Sequence, residues 1–338
     1  MRKTFLGLLR PLSTVYAAIL HLRTAAYRKG LKRTFRLDIP VISVGNLTHG
    51  GTGKTPVVEA LVRDLVRRGR KPAVLSRGYG RRENRPLVLI GPDTGISSRD
   101  SGDEPAELAG RLPGVPVIVD ADRVRGGRRA GSLGADCCVL DDGFQYLRLR
   151  RELDILLIDA GDPFGGSRLP PGGRLREPLG GIRRANLILV TKIPGRKIPD
   201  PILSTLQGLH PGCPVYGCRM EASRLIGAGG QEQLSALEGR EVLAFCGLGR
   251  PAAFIEMLRE LGARIMEERV FPDHHVYTAS EIRSIEKLAE SRNWLPVTTA
   301  KDAVKIPSMK DLRVLEVRMS PIEGGWSFVW ESIPGTLI

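Results

Sequence analysis

The chain contains the stretch Pro40-Val-Ile-Ser-Val-Gly-Asn-Leu-Thr-His-Gly-Gly-Thr-Gly-Lys-Thr55, and this stretch decides the fold. Its first five residues predict a buried strand, and the apolar spacing that follows predicts a helix over Lys54 to Arg68. A glycine-rich turn between a strand and a helix can wrap a phosphate, because the first amides of the helix point at it. The sequence therefore predicts a phosphate-binding loop. Its expected nucleotide-binding residues are Thr48, His49, Gly50, Gly51, Thr52, Gly53, Lys54 and Thr55.

Two residues of this loop have expected roles in catalysis. Lys54 is predicted to reach the β- and γ-phosphates, and the Thr55 hydroxyl is predicted to hold Mg²⁺. One position departs from the usual phosphate-loop pattern, since Thr48 stands where the first glycine is expected. The Gly-Lys-Thr sequence between a strand and a helix still favours a phosphate loop over an ordinary glycine-rich turn.

Further short apolar runs predict the rest of the fold. They are continuous rather than alternating, which is typical of parallel strands covered on both faces. They comprise Ala73–Leu75, Val117–Val119, Cys137–Leu140, Ile155–Ile158 and Leu187–Val190. The prediction is an α/β fold: a doubly wound sheet like that of P-loop NTPases, with an N-terminal amphipathic helix and a second, smaller α/β domain. The predicted domains are 1–37, 38–222 and 223–338.

Two pairs of acidic residues are candidates for the site. Asp141 and Asp142 end an apolar strand, which would deliver carboxylates to the nucleotide edge of the sheet for Mg²⁺. Asp103 and Glu104 lie in a glycine-containing loop, and on their own they fit surface charge equally well. A phosphoryl-transfer enzyme would, however, need a base for the attacking hydroxyl and further charge for the metal.

The positive charge is concentrated at the N-terminus. The chain has a net charge of +14, and residues 1–37 contain nine Lys or Arg and no Asp or Glu. The run Pro11–Leu22 has 12 uncharged residues, whereas about 18 are needed to span a bilayer. A secretory signal peptide is the rival interpretation, but the nucleotide motif argues against export. The segment is predicted to lie on an anionic membrane surface.

Several motifs in this order resemble one known family across nearly the whole chain. They are the 40–56 stretch, Ser76-Arg-Gly-Tyr-Gly80, Gly102-Asp-Glu-Pro105, Asp141-Asp-Gly-Phe-Gln145, Pro171-Gly-Gly-Arg-Leu-Arg-Glu-Pro178, Asp273-His274 and Lys301-Asp-Ala-Val-Lys305. Together they are similar to the signature of the tetraacyldisaccharide 4′-kinases, the lipid A 4′-kinases. This family tolerates a threonine at position 48.

The resemblance implies a function and a role for each matching residue. The enzyme would transfer the γ-phosphoryl group of ATP to the 4′-hydroxyl of a tetraacyldisaccharide 1-phosphate in lipid A synthesis. Asp103 and His274 would form the dyad that activates this hydroxyl, with His274 preferred to His275. Glu104, Asp141 and Asp142 would arrange the metal. The implied substrate-binding residues are Asn46, Arg77, Tyr79, Arg123, Gln145 and Arg174. Tyr146 stands where the family pattern has a histidine.

The cofactors and partners follow from the same resemblance. They are ATP, Mg²⁺, the acylated disaccharide lipid and anionic lipids of the membrane surface. We expect neither nucleic acid nor an obligate protein partner. The expected location is the cytoplasmic face of the bacterial inner membrane, as a peripheral or monotopic protein.

Three other functions fit parts of the sequence. A regulatory GTPase shares the phosphate loop, but Leu187-Ile-Leu-Val-Thr-Lys192-Ile-Pro194 lacks the Asp that guanine recognition uses. A dinucleotide enzyme is suggested by Gly247-Leu-Gly249 after a strand, with Glu267 and Glu268 at a plausible distance. A nucleic-acid ATPase is suggested by the charge alone, against an aromatic content of 5%.

Overall fold

The computed structural model describes residues 10–79, 81, 85–91, 98–193, 195–249, 251–273 and 275–332. The chain divides into two compact units, the first formed by Met1–Arg219 with Met319–Ile338 and the second by Met220–Arg318. The second unit begins at Met220, and the sequence analysis predicts the boundary between residues 222 and 223. The segment from Met319 onward, which the sequence analysis places in the smaller domain, belongs to the first unit.

Contacts within the first unit explain the placement of this C-terminal segment. The Ile322 amide donates to the Gly217 carbonyl at 2.9 Å, and the Phe328 and Tyr216 rings stack with centroids 3.9 Å apart. The Trp330 indole donates to an Asp64 carboxylate oxygen at 2.6 Å. Sequence patterning does not reveal such returns of the chain, because each contact joins residues more than a hundred positions apart.

The first unit is a sheet covered by helices. Its elements are α1 (Arg10–Arg28), β1 (Val41–Asn46), α2 (Lys54–Arg67), β2 (Pro72–Ser76), β3 (Leu87–Leu89), α3 (Ser98–Ser101), α4 (Asp103–Arg111), β4 (Val117–Val119), α5 (Arg123–Ser132), β5 (Cys137–Asp141), β6 (Leu153–Asp159), β7 (Leu187–Thr191) and α6 (Asp200–Leu209). 3₁₀ turns occur at Gly165–Ser167 and Leu179–Arg184. The strand order is β7-β6-β1-β5-β2-β4-β3, and only β3 runs antiparallel to its neighbour. The predicted doubly wound α/β fold is confirmed.

Strand β1 lies in the middle of this sheet, and all six of its residues are buried. It pairs in parallel with β5, with Val44 opposite Asp141, and with β6, with Asn46 opposite Leu157. Because the strands are parallel, their carboxyl ends meet at one edge of the sheet. The loop after Asn46 and the acidic end of β5 are therefore neighbours.

Helix α2 follows the loop and packs on the sheet through the apolar positions expected from the sequence. Val58, Leu61, Val62 and Leu65 are all completely buried. Gly69 ends the helix with a φ of +79°, a conformation that only glycine adopts without strain.

The second unit is a smaller α/β structure. Its elements are β9 (Gly230–Glu232), a 3₁₀ turn at Leu234–Leu237, β10 (Glu241–Cys246), α7 (Pro251–Glu260), β11 (Arg264–Val270), α8 (Ala279–Arg292), β12 (Leu295–Thr299) and α9 (Ala300–Ala303). Strands β8 (Val215–Gly227) and β13 (Arg313–Pro321) contain the unit boundaries, and α10 (Ser327–Glu331) returns to the first unit. The parallel order is β11-β10-β12-β13.

Helix α1 carries apolar residues on the face that packs against the protein and also on the exposed face. Ala17 and Leu20 pack against the core of the first unit. On the opposite side, Val15, Ile19 and Leu22 are 59%, 56% and 71% exposed. In the part of the chain that the structure describes, no helix combines the length and apolar character needed to cross a bilayer.

Candidate active site

The phosphate loop has the backbone shape that its glycines permit. Gly50 and Gly53 have φ values of +122° and +83°, a region that L-residues with a Cβ rarely enter. Helix α2 begins immediately afterwards, at Lys54. Among the described residues, the amides of Gly50, Gly51, Thr52 and Gly53 donate to no backbone carbonyl. The loop thus presents donors at a helix N-terminus, which is the arrangement that binds phosphate.

Lys54 lies between the loop and the acidic end of β5. Its Nζ is 3.7 Å from Asp142 Oδ1 and 3.5 Å from Asn46 Oδ1, and its side chain is only 10% exposed. Asn46, fully buried, also donates through Nδ2 to the Thr48 carbonyl at 2.7 Å. The structure therefore places Asn46, an expected substrate residue, at the base of the loop beside Lys54.

Asp142 is held by two cations. Arg176 Nη1 donates to both of its carboxylate oxygens at 2.7 Å, and Lys54 approaches from the loop. Burial acts to raise the pKa of Asp142, but Lys54 and Arg176 outweigh it, so the pKa lies below its ordinary value. Its φ of +54° is rare for a non-glycine residue. This geometry keeps Asp142 ionised.

Arg176 is the site residue that the sequence analysis missed. It lies in the Leu175-Arg-Glu-Pro178 segment of a motif quoted above, whereas the family resemblance implies Arg174. The Arg176 amide donates to the Leu47 carbonyl at 2.7 Å, which anchors the segment beside the loop. The Arg174 guanidinium pairs with Asp162, and its side chain is 60% exposed. The two arginines are two positions apart and would share a face of an extended segment, so no local pattern distinguishes them. Only their different partners do, Asp142 for Arg176 and Asp162 for Arg174.

The pKa of Asp141 is shifted in the opposite direction from the pKa of Asp142. Asp141 is 2% exposed, and burial, followed by the charges of Glu104 and Asp142, raises its pKa to about 7. Ser76 Oγ donates to its Oδ2 at 3.3 Å. Its buried Oδ1 has no hydrogen-bond partner among the described residues. A cation beside this oxygen would offset the cost of ionising a buried carboxylate and would also give Oδ1 a partner.

These carboxylates fit a magnesium ion that is shared with a nucleotide. In the described ranges, no three His, Cys, Asp or Glu side chains converge into a self-sufficient metal cage. Mg²⁺ usually takes one or two carboxylates and completes its shell with water and substrate phosphates. The buried, unsatisfied oxygen of Asp141 meets that requirement, and the Thr55 hydroxyl at the start of α2 is a further oxygen ligand of the expected type.

Asp103 and Glu104 occupy the first turn of α4, and both are exposed. Gly102 before them has a φ of +93°, and a Cβ there would lie 3.3 Å from Gly78 Cα. The two glycine loops are thus packed together at this edge of the sheet. After burial, the charge of Glu104 is the next cause of the raised pKa of Asp141.

A buried arginine forms a second positive region. Arg123 is 6% exposed, its Nε has no partner among the described residues, and its Cζ lies 4.9 Å from the centroid of the Tyr146 ring. Burial is the main cause that lowers the pKa of Arg123, and the positive charge of Arg77 is the next. Tyr146, the residue that departs from the family pattern, donates from its hydroxyl to Asp122 Oδ1 at 3.2 Å. Tyr146 therefore supports Arg123 from one side.

The remaining expected site residues have different environments. Arg77 and Tyr79 are exposed at the end of β2. Gln145 Nε2 donates to the Asn46 carbonyl at 2.8 Å and to Glu177 Oε1 at 2.9 Å, which ties it to the base of the loop. The pKa of His49 is lowered, first by burial and then by Arg176.

His274 lies outside the described residues, so its role stays a prediction. The neighbouring His275 is described and belongs to the second unit. Its Nε2 is 3.2 Å from Glu281, and its ring stacks on Phe271 with centroids 4.7 Å apart.

Comparison with known proteins gives a consistent result. The sequence model of the family described as tetraacyldisaccharide-1-P 4′-kinase matches residues 5–330. Proteins named tetraacyldisaccharide 4′-kinase from Chlorobaculum tepidum and Geobacter sulfurreducens are 40% and 39% identical, over 90% and 92% of this chain and 88% and 87% of theirs. One from Anaeromyxobacter dehalogenans is 42% identical, over 86% of this chain and 79% of its own.

A solved structure agrees with these relatives. The crystal structure of LpxK from Aquifex aeolicus in complex with ATP has a TM-score of 0.76 and 32% identity, and the match covers 97% of this chain and 98% of that one. The match therefore extends over both units of this chain. This chain belongs to the tetraacyldisaccharide-1-P 4′-kinase family.

Proposed function

We propose that this protein transfers the γ-phosphoryl group of ATP to the 4′-hydroxyl of a tetraacyldisaccharide 1-phosphate in lipid A synthesis. The observation that carries the proposal is the phosphate loop with Lys54, Asp142 and Arg176 at its open side, in a chain of this family. Family membership favours this activity over a regulatory GTPase, a dinucleotide enzyme or a nucleic-acid ATPase.

The loop and Lys54 bind the triphosphate. The amides of residues 50–53 contact phosphate oxygens, and the Lys54 ammonium neutralises the charge that develops on the transferred group. Mg²⁺, held by Thr55, Asp141 and Asp142 with Glu104 nearby, would supply further charge neutralisation. Arg176 keeps the Asp142 carboxylate ionised and in one orientation.

Asp103 is the proposed base for the acceptor. The 4′-hydroxyl oxygen forms a bond to the γ-phosphorus, the bond from that phosphorus to the bridging oxygen breaks, and ADP leaves. The hydroxyl proton goes to the Asp103 carboxylate, which is exposed at the start of α4 and accessible to a substrate. General-base catalysis of this kind contributes on the order of 10²–10⁴-fold.

The substrate's existing 1-phosphate needs a cationic site, and Arg123 with Arg77 provides one. The Arg123 Nε, which has no partner among the residues that the structure describes, would gain a charge-assisted hydrogen bond from a phosphate oxygen. Tyr79, Gln145 and Arg174 are further proposed contacts for the disaccharide.

Helix α1 is the proposed membrane contact, which would place the protein at the cytoplasmic face of the inner membrane. Its inner face is fixed to the protein, where Ser13 Oγ donates to the Pro170 carbonyl at 3.1 Å. Its outer face carries Val15, Ile19 and Leu22 at helical spacing, and the surrounding residues 1–37 are strongly basic. Apolar insertion and attraction to anionic headgroups together hold such helices at a bilayer surface.

The membrane contact can be tested with two substitutions. The variant Ile19→Asp/Leu22→Asp should reduce sedimentation with anionic phospholipid vesicles at least about tenfold, since each side chain loses its apolar transfer free energy. Val304→Asp, at a residue that is 84% exposed in the second unit, is the matched control and should bind vesicles normally. Equal vesicle binding by the double variant and the control would contradict the role of α1.

A substitution at Arg176 tests its assigned role. Arg176→Ala should lower kcat roughly 10- to 100-fold, the cost of losing a charge-assisted pair. Arg176→Lys should restore little, because an ammonium cannot reproduce the two-oxygen contact. Steady-state kinetics decide the matter, with the exposed Arg183→Ala as control. Wild-type kcat in Arg176→Ala would contradict the role.

The proposed function itself is tested by product analysis. The purified protein is incubated with Mg²⁺, the acylated disaccharide 1-phosphate in detergent micelles, and either ATP or GTP. We expect a bisphosphorylated lipid with ATP, and mass spectrometry with ³¹P NMR should place the new phosphate on the 4′-oxygen. Absence of the second phosphate, or its formation from GTP alone, would refute the assignment.

A further inference from the structure

The Thr191-Lys192 sequence, considered above only as a guanine-recognition motif, contacts the phosphate loop. Thr191 ends β7 and is completely buried. Its Oγ1 donates to the Thr52 carbonyl at 2.7 Å. The next residue, Lys192, donates from Nζ to the Gly51 carbonyl. Two consecutive carbonyls of the phosphate loop therefore accept hydrogen bonds from two consecutive side chains at the end of β7.

Lys192 is itself fixed in position. Its Nζ lies 3.0 Å from Asp159 Oδ2, at the end of β6, and Asp159 is 6% exposed. Lys192 also has a φ of +55°. This left-handed backbone conformation is unfavourable for a residue with a Cβ. It persists because the surrounding structure imposes it.

The planarity of the peptide bond gives these contacts a consequence for phosphate binding. In a trans peptide, the C=O of one residue and the N–H of the next point in opposite directions. Holding the Gly51 and Thr52 carbonyls toward β7 therefore turns the Thr52 and Gly53 amides the other way. Those are amides that donate to no backbone carbonyl in the described part of the chain.

We propose that Thr191 and Lys192 are positioning residues for ATP: they hold the loop in the conformation in which the Thr52 and Gly53 amides face the phosphates. They act through the loop backbone rather than by touching the reacting atoms. The inference rests on the proposed function, because it deepens the account of that same nucleotide site. It predicts an effect on phosphate affinity that a purely structural role would not produce.

The test removes one hydroxyl at a time. Thr191→Val keeps the shape of the side chain and removes the donor, whereas Thr191→Ser keeps the donor. Thr298 is a matched control in the second unit, since its hydroxyl is also buried and donates to a carbonyl, that of Phe245, at 2.8 Å. Dissociation constants for Mg·ATP and for inorganic tripolyphosphate are measured by calorimetry, with melting temperatures recorded for each variant.

We expect Thr191→Val to weaken both ligands by the same factor, roughly two- to tenfold, and Thr191→Ser to restore the affinity. The KM for ATP should rise by that factor while the KM for the lipid stays constant. Thr298→Val should lower the melting temperature and leave both affinities unchanged. Wild-type affinity in Thr191→Val, or equal weakening in Thr298→Val, would overturn the inference.

A double variant provides an independent test if Thr191→Val fails to fold. The Asp159→Asn/Lys192→Met variant removes the Gly51 contact without leaving Asp159 as an unpaired buried charge. It should also bind ATP and tripolyphosphate more weakly by a common factor, and unchanged affinity would overturn the inference. A wild-type protein that binds neither ligand would instead refute the proposed function.

Discussion

Lys54→Met should lower kcat/KM for ATP on the order of 10²–10³-fold, the loss seen when one preorganised donor to a developing charge is removed. The ammonium is nearly buried between Asp142 and Asn46 at the start of α2. Methionine retains the length of the side chain, and the fold should survive. Steady-state kinetics with saturating lipid measure the effect.

Lys71→Met is the matched control for this substitution. Lys71 is exposed and precedes β2, at the edge of the sheet opposite the carboxyl ends of the strands. Its replacement should leave both kinetic constants within about twofold of wild type, the scatter expected of a surface substitution. A comparable loss in the two variants would remove Lys54 from the proposed mechanism.

Asp141→Asn should change activity and stability in opposite directions. Turnover should fall by about 10²-fold or more, because an amide is a poor ligand for the metal that the site would hold. The metal-free protein should become more stable above neutral pH. Burial raises the pKa of Asp141 to about 7, from 3.8, so ionising this carboxyl opposes folding.

The pH window of the stability effect follows from linkage. Between about pH 4 and 7 the unfolded chain releases this proton and the folded protein retains it, so rising pH favours unfolding through this group. The stabilising effect of Asp141→Asn should therefore be small near pH 4, grow to about pH 7 and then level off. Melting temperatures in the presence of a chelator measure it.

Asp136→Asn is the control at the opposite end of the same strand. Asp136 pairs with Arg70 at 3.1 Å, far along β5 from the site, so its substitution should leave turnover near wild type. An Asp141→Asn variant that melts below wild type at pH 8, or retains turnover, would contradict the assigned environment of Asp141.

The part of the site that local patterning could predict is the part built from consecutive residues. The strand, glycine turn and helix around Lys54 were predictable because hydrophobic periodicity and glycine chemistry act within about fifteen positions. The acidic end of β5 is a weak signal alone, because many strands end in Asp, and it became a useful one because the chain also carries a phosphate loop. The identity of the phosphoryl acceptor, an acylated disaccharide, came only from the family resemblance.

Other features depend on pairing between distant segments. The choice between Arg174 and Arg176 needed their contacts with Asp162 and Asp142, and the role of Thr191 needed the approach of β7 to the loop. Strand β8 runs through the domain boundary predicted between residues 222 and 223. These outcomes follow from register and long-range packing, which a single sequence does not encode in its local pattern.

The central claim is that the loop over residues 48–55 binds a nucleoside triphosphate with Mg²⁺. It is tested most directly by calorimetric titration of the unmodified protein with ATP in the presence of Mg²⁺, without lipid. We expect saturable binding of one ATP per chain, with tripolyphosphate competing for the same site. No detectable binding at millimolar ATP, or binding that tripolyphosphate leaves untouched, would contradict the account.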